Sequence, residues 1–252
     1  MSRTAPATLV LLVSLAAPGP AQTPESAVAR GDRLMAAERT EAAIAAYRDG
    51  LAASPDDPVL LWKTARALSN LADETPGEEG DEERLEEAVE LARRAVRAGP
   101  AVSRTHSTLA ATLGKLALYR GGKRKVELAR EVEREARRAA ELDARDFAPF
   151  TVLGVLEREI ATLNPLLRGF AGVLFGGVPD ASIERSAALL ERATRLAPDY
   201  VAPRLELART YLEMGREARA RRELETALSL EPKERLDRIL QAEARTLLRE
   251  LR

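Results

Sequence analysis

The chain is 252 residues long, 45% apolar, 31% charged and only 4% aromatic, and it is dominated by Ala, Leu, Arg and Glu, all strong helix formers. Its 39 basic and 40 acidic residues are interspersed and leave a net charge of -1, so no global field draws in nucleic acid or anionic lipid. The absence of cysteine excludes disulfides, thiolate catalysis, cysteine-based metal sites and lipid attachment through a thiol.

At the N-terminus, Arg3 precedes an apolar run from Leu9 to Ala17, followed by Pro18-Gly19-Pro20 and the small Ala21. This is the three-part layout of a secretory signal peptide, and residues 1–21 are expected to be removed on export to a periplasmic or extracellular location. The alternative is an uncleaved anchor. Against it, Pro6, Pro18, Pro20 and Pro24 leave an apolar core too short to cross roughly 30 Å of hydrocarbon comfortably.

From residue 22 onward the chain reads as one domain built on self-similarity. The first copy, about 24–57, carries Gly31, Leu34, Ala43, Tyr47 and Pro55 at the same intervals as Ala208, Tyr211, Ala220, Leu224 and Pro232 in the last copy, about 199–232. This is the tetratricopeptide pattern: small residues where two helix backbones approach, a larger side chain between layers, and a proline ending the second helix. The copy at 58–100 places Ala65 and Leu68 on its first helix and Ala88, Ala92, Ala95 and Pro100 on its second. Between them lies an acidic, Gly- and Pro-bearing connector, Asp73 to Glu83, which reads as a solvated loop within reach of Arg120, Lys123, Arg124 and Lys125, or as a cation-recruiting one.

The copy at 101–146 carries Leu109, Ala110 and Leu113, then Val132, Ala136 and Ala139; along Glu127 to Arg138, Glu127 and Arg130, Glu131 and Arg134, and Glu135 and Arg138 are spaced to pair on one wet face. The copy at 147–198 has Phe150, Leu153 and Gly154, then Leu190, Ala193 and Pro198, around a longer insertion. Residues 233–252 form an amphipathic tail through Leu236, Ile239, Leu240, Leu247 and Leu251, expected to cap the end of the stack. The fold class is therefore all-α: a right-handed tetratricopeptide-type solenoid of about five helix hairpins and a C-terminal capping helix.

Three segments add a closer likeness: Leu61-Trp62-Lys63-Thr64-Ala65-Arg66-Ala67, the His106 region with Leu118-Tyr119-Arg120-Gly121-Gly122-Lys123, and Leu174-Phe175-Gly176-Gly177-Val178-Pro179-Asp180-Ala181-Ser182. In these, over roughly Pro58 to Pro232, the chain resembles the regulator of microtubule dynamics proteins. The resemblance implies a helical fold and a partner-binding role, in a family whose animal members associate with microtubules and organelle membranes, and it brings no catalytic residues. Where that family usually has an aromatic after the His106 segment, this chain has Thr108.

No catalytic constellation emerges. His106 is the only histidine, so metal and Ser-His-Asp chemistry would all pass through one residue, and a structural or surface histidine is the simpler reading. Gly169, Gly172, Gly176 and Gly177 match neither a dinucleotide nor a P-loop spacing, and no cofactor is expected. Binding in such stacks uses the first helix of each hairpin. Here that face offers Trp62, Lys63, Arg66 and Asn70, then Arg104 and Lys115, then Arg158, Leu205 and Arg209. This mixed apolar and cationic groove suits a protein or peptide partner with an acidic or C-terminal segment, with Trp62 as anchor; the competing reading puts Trp62 in the core and the cations in water. The cation and asparagine pattern of a chaperone-type carboxylate clamp is not reproduced, because Val28 and Asp32 occupy the expected places in the first copy. A second candidate contact surface is the nearly uncharged insertion 166–179, with Phe170, Leu174 and Phe175 either packed on the stack or presented to a partner or membrane in an envelope complex.

Overall fold

The computed structural model describes residues 24–120, 122–163 and 180–251. The expected export segment 1–21 and the insertion 166–179, with Phe170, Leu174 and Phe175, lie outside the described residues.

Eleven α-helices and no strand occur among those residues: α1 Pro24–Ala36, α2 Thr40–Ala53, α3 Pro58–Glu74, α4 Asp81–Ala98, α5 Ser103–Tyr119, α6 Gly122–Leu142, α7 Ala148–Ala161, α8 Ile183–Leu196, α9 Val201–Glu213, α10 Glu217–Ser229 and α11 Arg235–Glu250. Local chemistry sets several ends. Asp57 caps α3 by accepting from the Val59 and Leu60 N–H groups at 2.9 Å, with Pro58 in the first turn. Ser182 does the same for α8. At the α9 end, Gly215 turns left-handed at φ 66 while Arg216 N–H donates to the Tyr211 carbonyl and Gly215 N–H to that of Leu212, a Schellman stop. The α1 end makes the same turn with Glu38 at φ 60, an uncommon conformation for a residue with a Cβ.

The helices pair as α1/α2, α3/α4, α5/α6, α7/α8 and α9/α10, and each second helix also packs on the first helix of the next hairpin. The first helices additionally meet each other, α1 with α3, α3 with α5, α5 with α7, and α7 with α9. That closer inner layer curves the stack, so the first helices form its inner wall and the second helices its outer side. The buried core follows the same order, from a cluster around Tyr47, Leu60 and Leu68, to one around Leu85, Leu113, Leu128 and Val132, to one around Leu190, Leu207, Tyr211 and Leu224.

The terminal helix departs from a simple cap. Ala244, Leu240, Leu247, Leu248 and Leu251 pack on the α9/α10 hairpin, and Gln241 donates to the carbonyls of Ala227 and Leu230 at 3.0 and 2.8 Å. The N-terminal end of α11 also touches α3, so the stack meets its own beginning.

Helix approach sets a sharp size limit. A Cβ added at Gly31 would lie 2.1 Å from Tyr47 Cε1, and the Tyr47 ring is fully buried with its hydroxyl tied to Asp32 at 2.6 Å. Gly114 has nothing within 4 Å of such an atom. Gly31→Ala is therefore expected to lower the unfolding free energy by about 1–3 kcal/mol from overpacking, whereas Gly114→Ala raises it by about 0.5–1 kcal/mol through helix propensity. Urea denaturation of the two variants checks this; equal effects at both sites would contradict the close approach.

Candidate functional site

On α3, Lys63, Arg66, Asn70 and Glu74 recur every three or four residues and so share one face. Lys63 Nζ lies 2.7 Å from Asp32 Oδ1 on α1, and Tyr47 donates to the same oxygen at 2.6 Å. Burial works against the Asp32 carboxylate, but the Lys63 and Tyr47 hydrogen bonds and the Lys63 and Arg66 charges outweigh it and hold its pKa below the usual range. Burial and the Asp32 carboxylate push the Tyr47 hydroxyl upward. Trp62, beside this face, is partly buried, with the Lys63 ammonium 4.7 Å from its ring centroid.

One turn further, Arg66 Nη1 and Asn70 Nδ2 converge on Glu234 Oε1 at 3.2 and 3.3 Å. Glu234 comes from the segment leading into α11. Next to it, Arg235 Nη1 lies 3.5 Å from Glu74 Oε2 and 3.5 Å from Glu41 Oε1, and Arg238 pairs with Glu38. Both Arg66 Nε and Glu74 Oε2 are buried without a hydrogen-bond partner among the described residues.

The remaining wall cations are also paired within the chain. Arg104 lies 3.2 Å from Asp146 and 5.8 Å above the Phe147 ring, and Lys115 binds Asp73 and the Ser69 carbonyl. Arg209 holds Glu206 and Glu243. Arg158 is only 7% exposed and donates to the Glu206 carboxylate at 2.6 Å and the Glu206 carbonyl at 3.0 Å. Ser186 and Thr210 complete that buried seam between the fourth and fifth hairpins. Leu205 is fully buried in the core. Arg158 and Leu205 thus belong to packing between hairpins rather than to a groove surface, because the two helix faces that carry them are the ones pressed together there.

Of the expected groove, the structure brings Trp62, Lys63, Arg66 and Asn70 together on α3 and distributes Arg104, Lys115 and Arg209 along the wall. Residue spacing missed Asp32 as the Lys63 counter-ion and Glu74, Glu234 and Arg235 as members of the same cluster. Asp32 was visible as the residue that breaks a clamp pattern, but Glu234 lies 164 residues from Asn70, and no linear signal joins them.

His106 is buried, with Nδ1 2.7 Å from Glu135 and Nε2 3.0 Å from the Pro100 carbonyl, so it ties α5 to α6 and to the preceding turn. Glu135 faces His106 and Arg134, Arg138 pairs with Glu141, Glu127 pairs with Lys123 and Arg124, and Glu131 and Arg134 meet at 3.8 Å. The acidic connector is anchored rather than loose at its end: Asp81 is buried, accepting from Gly77 N–H at 3.0 Å and from Arg84, and Arg120 reaches Glu82 and Glu86. No group of three or more metal-ligating side chains occurs among the described residues, and none of the described helices is long and apolar enough to cross a membrane.

Glu74 offers a measurable handle. Burial raises its pKa, opposed by the Thr40 hydroxyl and Arg235 and reinforced by Glu41 and Glu234. The folded chain therefore binds this proton more tightly than the unfolded chain, and stability falls as pH climbs from the ordinary glutamate value through the raised one. Glu74→Gln is expected to be at least as stable as the parent at pH 7, with the difference shrinking toward pH 4. Chemical denaturation across that range tests it; a variant clearly less stable at pH 7 would contradict the reading.

Comparisons with known proteins agree with this architecture. The chain is 28% identical over 196 residues to Regulator of microtubule dynamics protein 1 of Bos taurus, covering 77% of this chain and 62% of that protein. It is 26% identical over 171 residues to Regulator of microtubule dynamics protein 3 of Mus musculus, covering 68% and 36%. The chain thus spans less than two thirds of the length of these relatives. Among solved structures, a thermophilic tetratricopeptide-repeat protein of Thermus thermophilus superposes with a TM-score of 0.66 at 20% identity, covering 89% of this chain and 100% of that one. Yeast Tom70 superposes at 0.53 and 14% identity over 91% of this chain and 40% of Tom70. Both likenesses concern the fold, which is that of a tetratricopeptide-type α-solenoid. The model of the family described as Regulator of microtubule dynamics protein 1-3 matches residues 27–252, and the chain belongs to that family.

Proposed function

We propose that this chain is an exported scaffold that holds a protein or peptide partner along the inner wall of its hairpin stack and performs no catalysis. The observation that carries the reading is the convergence of Arg66 and Asn70 on a single carboxylate oxygen at the wall. A guanidinium and an amide presented one turn apart on a rigid helix form a receptor for an acidic side chain or a chain terminus, and the partly buried Trp62 beside them supplies an apolar contact. The tetratricopeptide-type fold supports it, since such stacks present extended concave surfaces.

The relatives' name ties those proteins to microtubule dynamics. For this chain we propose a different partner, an envelope or secreted protein, because the N-terminal segment reads as an export signal that takes it away from cytoplasmic filaments.

The test is affinity capture from the exporting compartment with the parent chain and with Trp62→Ala and Arg66→Glu. Both substitutions are expected to reduce recovery of the acidic partner by about tenfold or more, as loss of a charge-assisted hydrogen bond implies. Undiminished recovery with both variants would remove the inner wall as the binding surface.

A further inference from the structure

Two kinds of contact hold α11, and they separate cleanly along its length. Its C-terminal two thirds is fastened to α9 and α10 by Leu240, Ala244, Leu247, Leu248 and Leu251. Its N-terminal end reaches the first two hairpins through charged and polar pairs: Glu234 with Arg66 and Asn70, Arg235 with Glu74 and Glu41, Arg238 with Glu38. Among the described residues, the buried cluster of those hairpins includes no apolar residue of α11, though Leu236 and Ile239 at this end are partly buried. Such ion pairs are individually weak where water reaches them, and Arg238 and Arg235 are 59% and 36% exposed.

Glu38 supplies an independent observation. It occupies the left-handed position of the α1 stop, where the equivalent turn after α9 uses Gly215. A glutamate there is held against its backbone preference, and its side chain is the one that meets Arg238. The receiving surface also keeps Glu74 Oε2 and Arg66 Nε buried without a hydrogen-bond partner among the described residues even while α11 is seated, so seating α11 does not satisfy every polar group beneath it.

We infer that the inner surface of the first two hairpins is a binding site for a chain segment that presents one carboxylate followed by basic residues, and that Glu234 and the start of α11 are its removable resident occupant. This rests on the proposed wall-binding role and adds its regulation: a partner carboxylate takes the place of Glu234 on Arg66 and Asn70, and the first turn of α11 lifts away from Glu38, Glu41 and Glu74 while the rest of the helix remains fastened to α9 and α10. The partner that fits presents an acidic residue followed by basic ones, the charge order of Glu234, Arg235 and Arg238.

The chain has no cysteine, so spin labels at Ala45→Cys on α2 and at Lys233→Cys, next to Glu234 in the part that lifts, report the closure alone, without any partner. Both positions are exposed. Pulsed electron paramagnetic resonance of the full chain is expected to show one short distance at low ionic strength and a growing longer population near 1 M salt, where charges are screened within about 3 Å. Each ion pair removed should raise the open population by about two- to fivefold. Glu38→Gly is the informative variant, because it relieves the left-handed strain and removes the charge together: the fold should become more stable while the arm opens. Distances unaffected by salt, by Glu38→Gly and by Arg238→Glu would overturn the inference and make α11 a fixed part of the wall. Partner capture by Arg66 and Trp62 would then stand or fall separately.

Discussion

A hairpin of two amphipathic helices has an apolar face that it cannot cover by itself, and nearly everything in this molecule follows from covering it with the next hairpin. The contact works because alanine and glycine stand where backbones approach: Ala43, Ala65, Ala88, Ala110, Ala136, Ala208 and Ala220 are all completely buried. Gly154 shows the tolerance, since a Cβ there would fall 2.6 Å from Leu190. Close approach of the first helices bends the file inward, and that bend creates a wall on which side chains from separate hairpins face one another.

Apolar covering alone does not fix how neighbours slide or rotate. The buried polar seams supply that register. Between the fourth and fifth hairpins, Arg158, Ser186, Thr210 and the Glu206 backbone and carboxylate satisfy one another, and around α5, Ser103 and Ser107 share Asp146 while His106 bridges Glu135 and the Pro100 carbonyl. Each group in these seams would be costly if left unpaired in a dry interface, so a shifted hairpin loses several hydrogen bonds together.

The hairpins were legible in the sequence because their signal is local: a small residue, a larger one three or four positions on, and a proline at the stop, repeated from Gly31 to Pro55 and from Ala208 to Pro232. The inner face of α3 was legible for the same reason. What helical spacing does not encode is how each face is turned by the superhelix, which is why Leu205 and Arg158 read as wall residues and sit in a seam. Nor does it encode counter-ions from distant hairpins. Lys63 finds Asp32 one hairpin away, and Arg66 finds Glu234 across the whole stack. The α11 tail advertised its apolar stripe through Leu240 and Leu247, so capping was visible; the charged end that turns back toward Glu38 and Glu74 looked like ordinary surface.

Pairing along the wall changes what binding means for such a surface. Lys63, Arg66, Arg104, Lys115 and Arg209 each face a carboxylate of the same chain. Under the proposed binding role, a partner's carboxylate would exchange with an existing one, and the gain per contact would be the difference between two similar interactions rather than the full strength of either. Exchange of like for like yields little affinity but strong discrimination, because a partner with the wrong charge order leaves both a wall cation and a displaced internal carboxylate without a counterpart. Affinity then has to come from contacts that the resident side chains do not already satisfy. On this wall the partly buried face of Trp62 is such a contact, so the proposed binding role would concentrate recognition on α3.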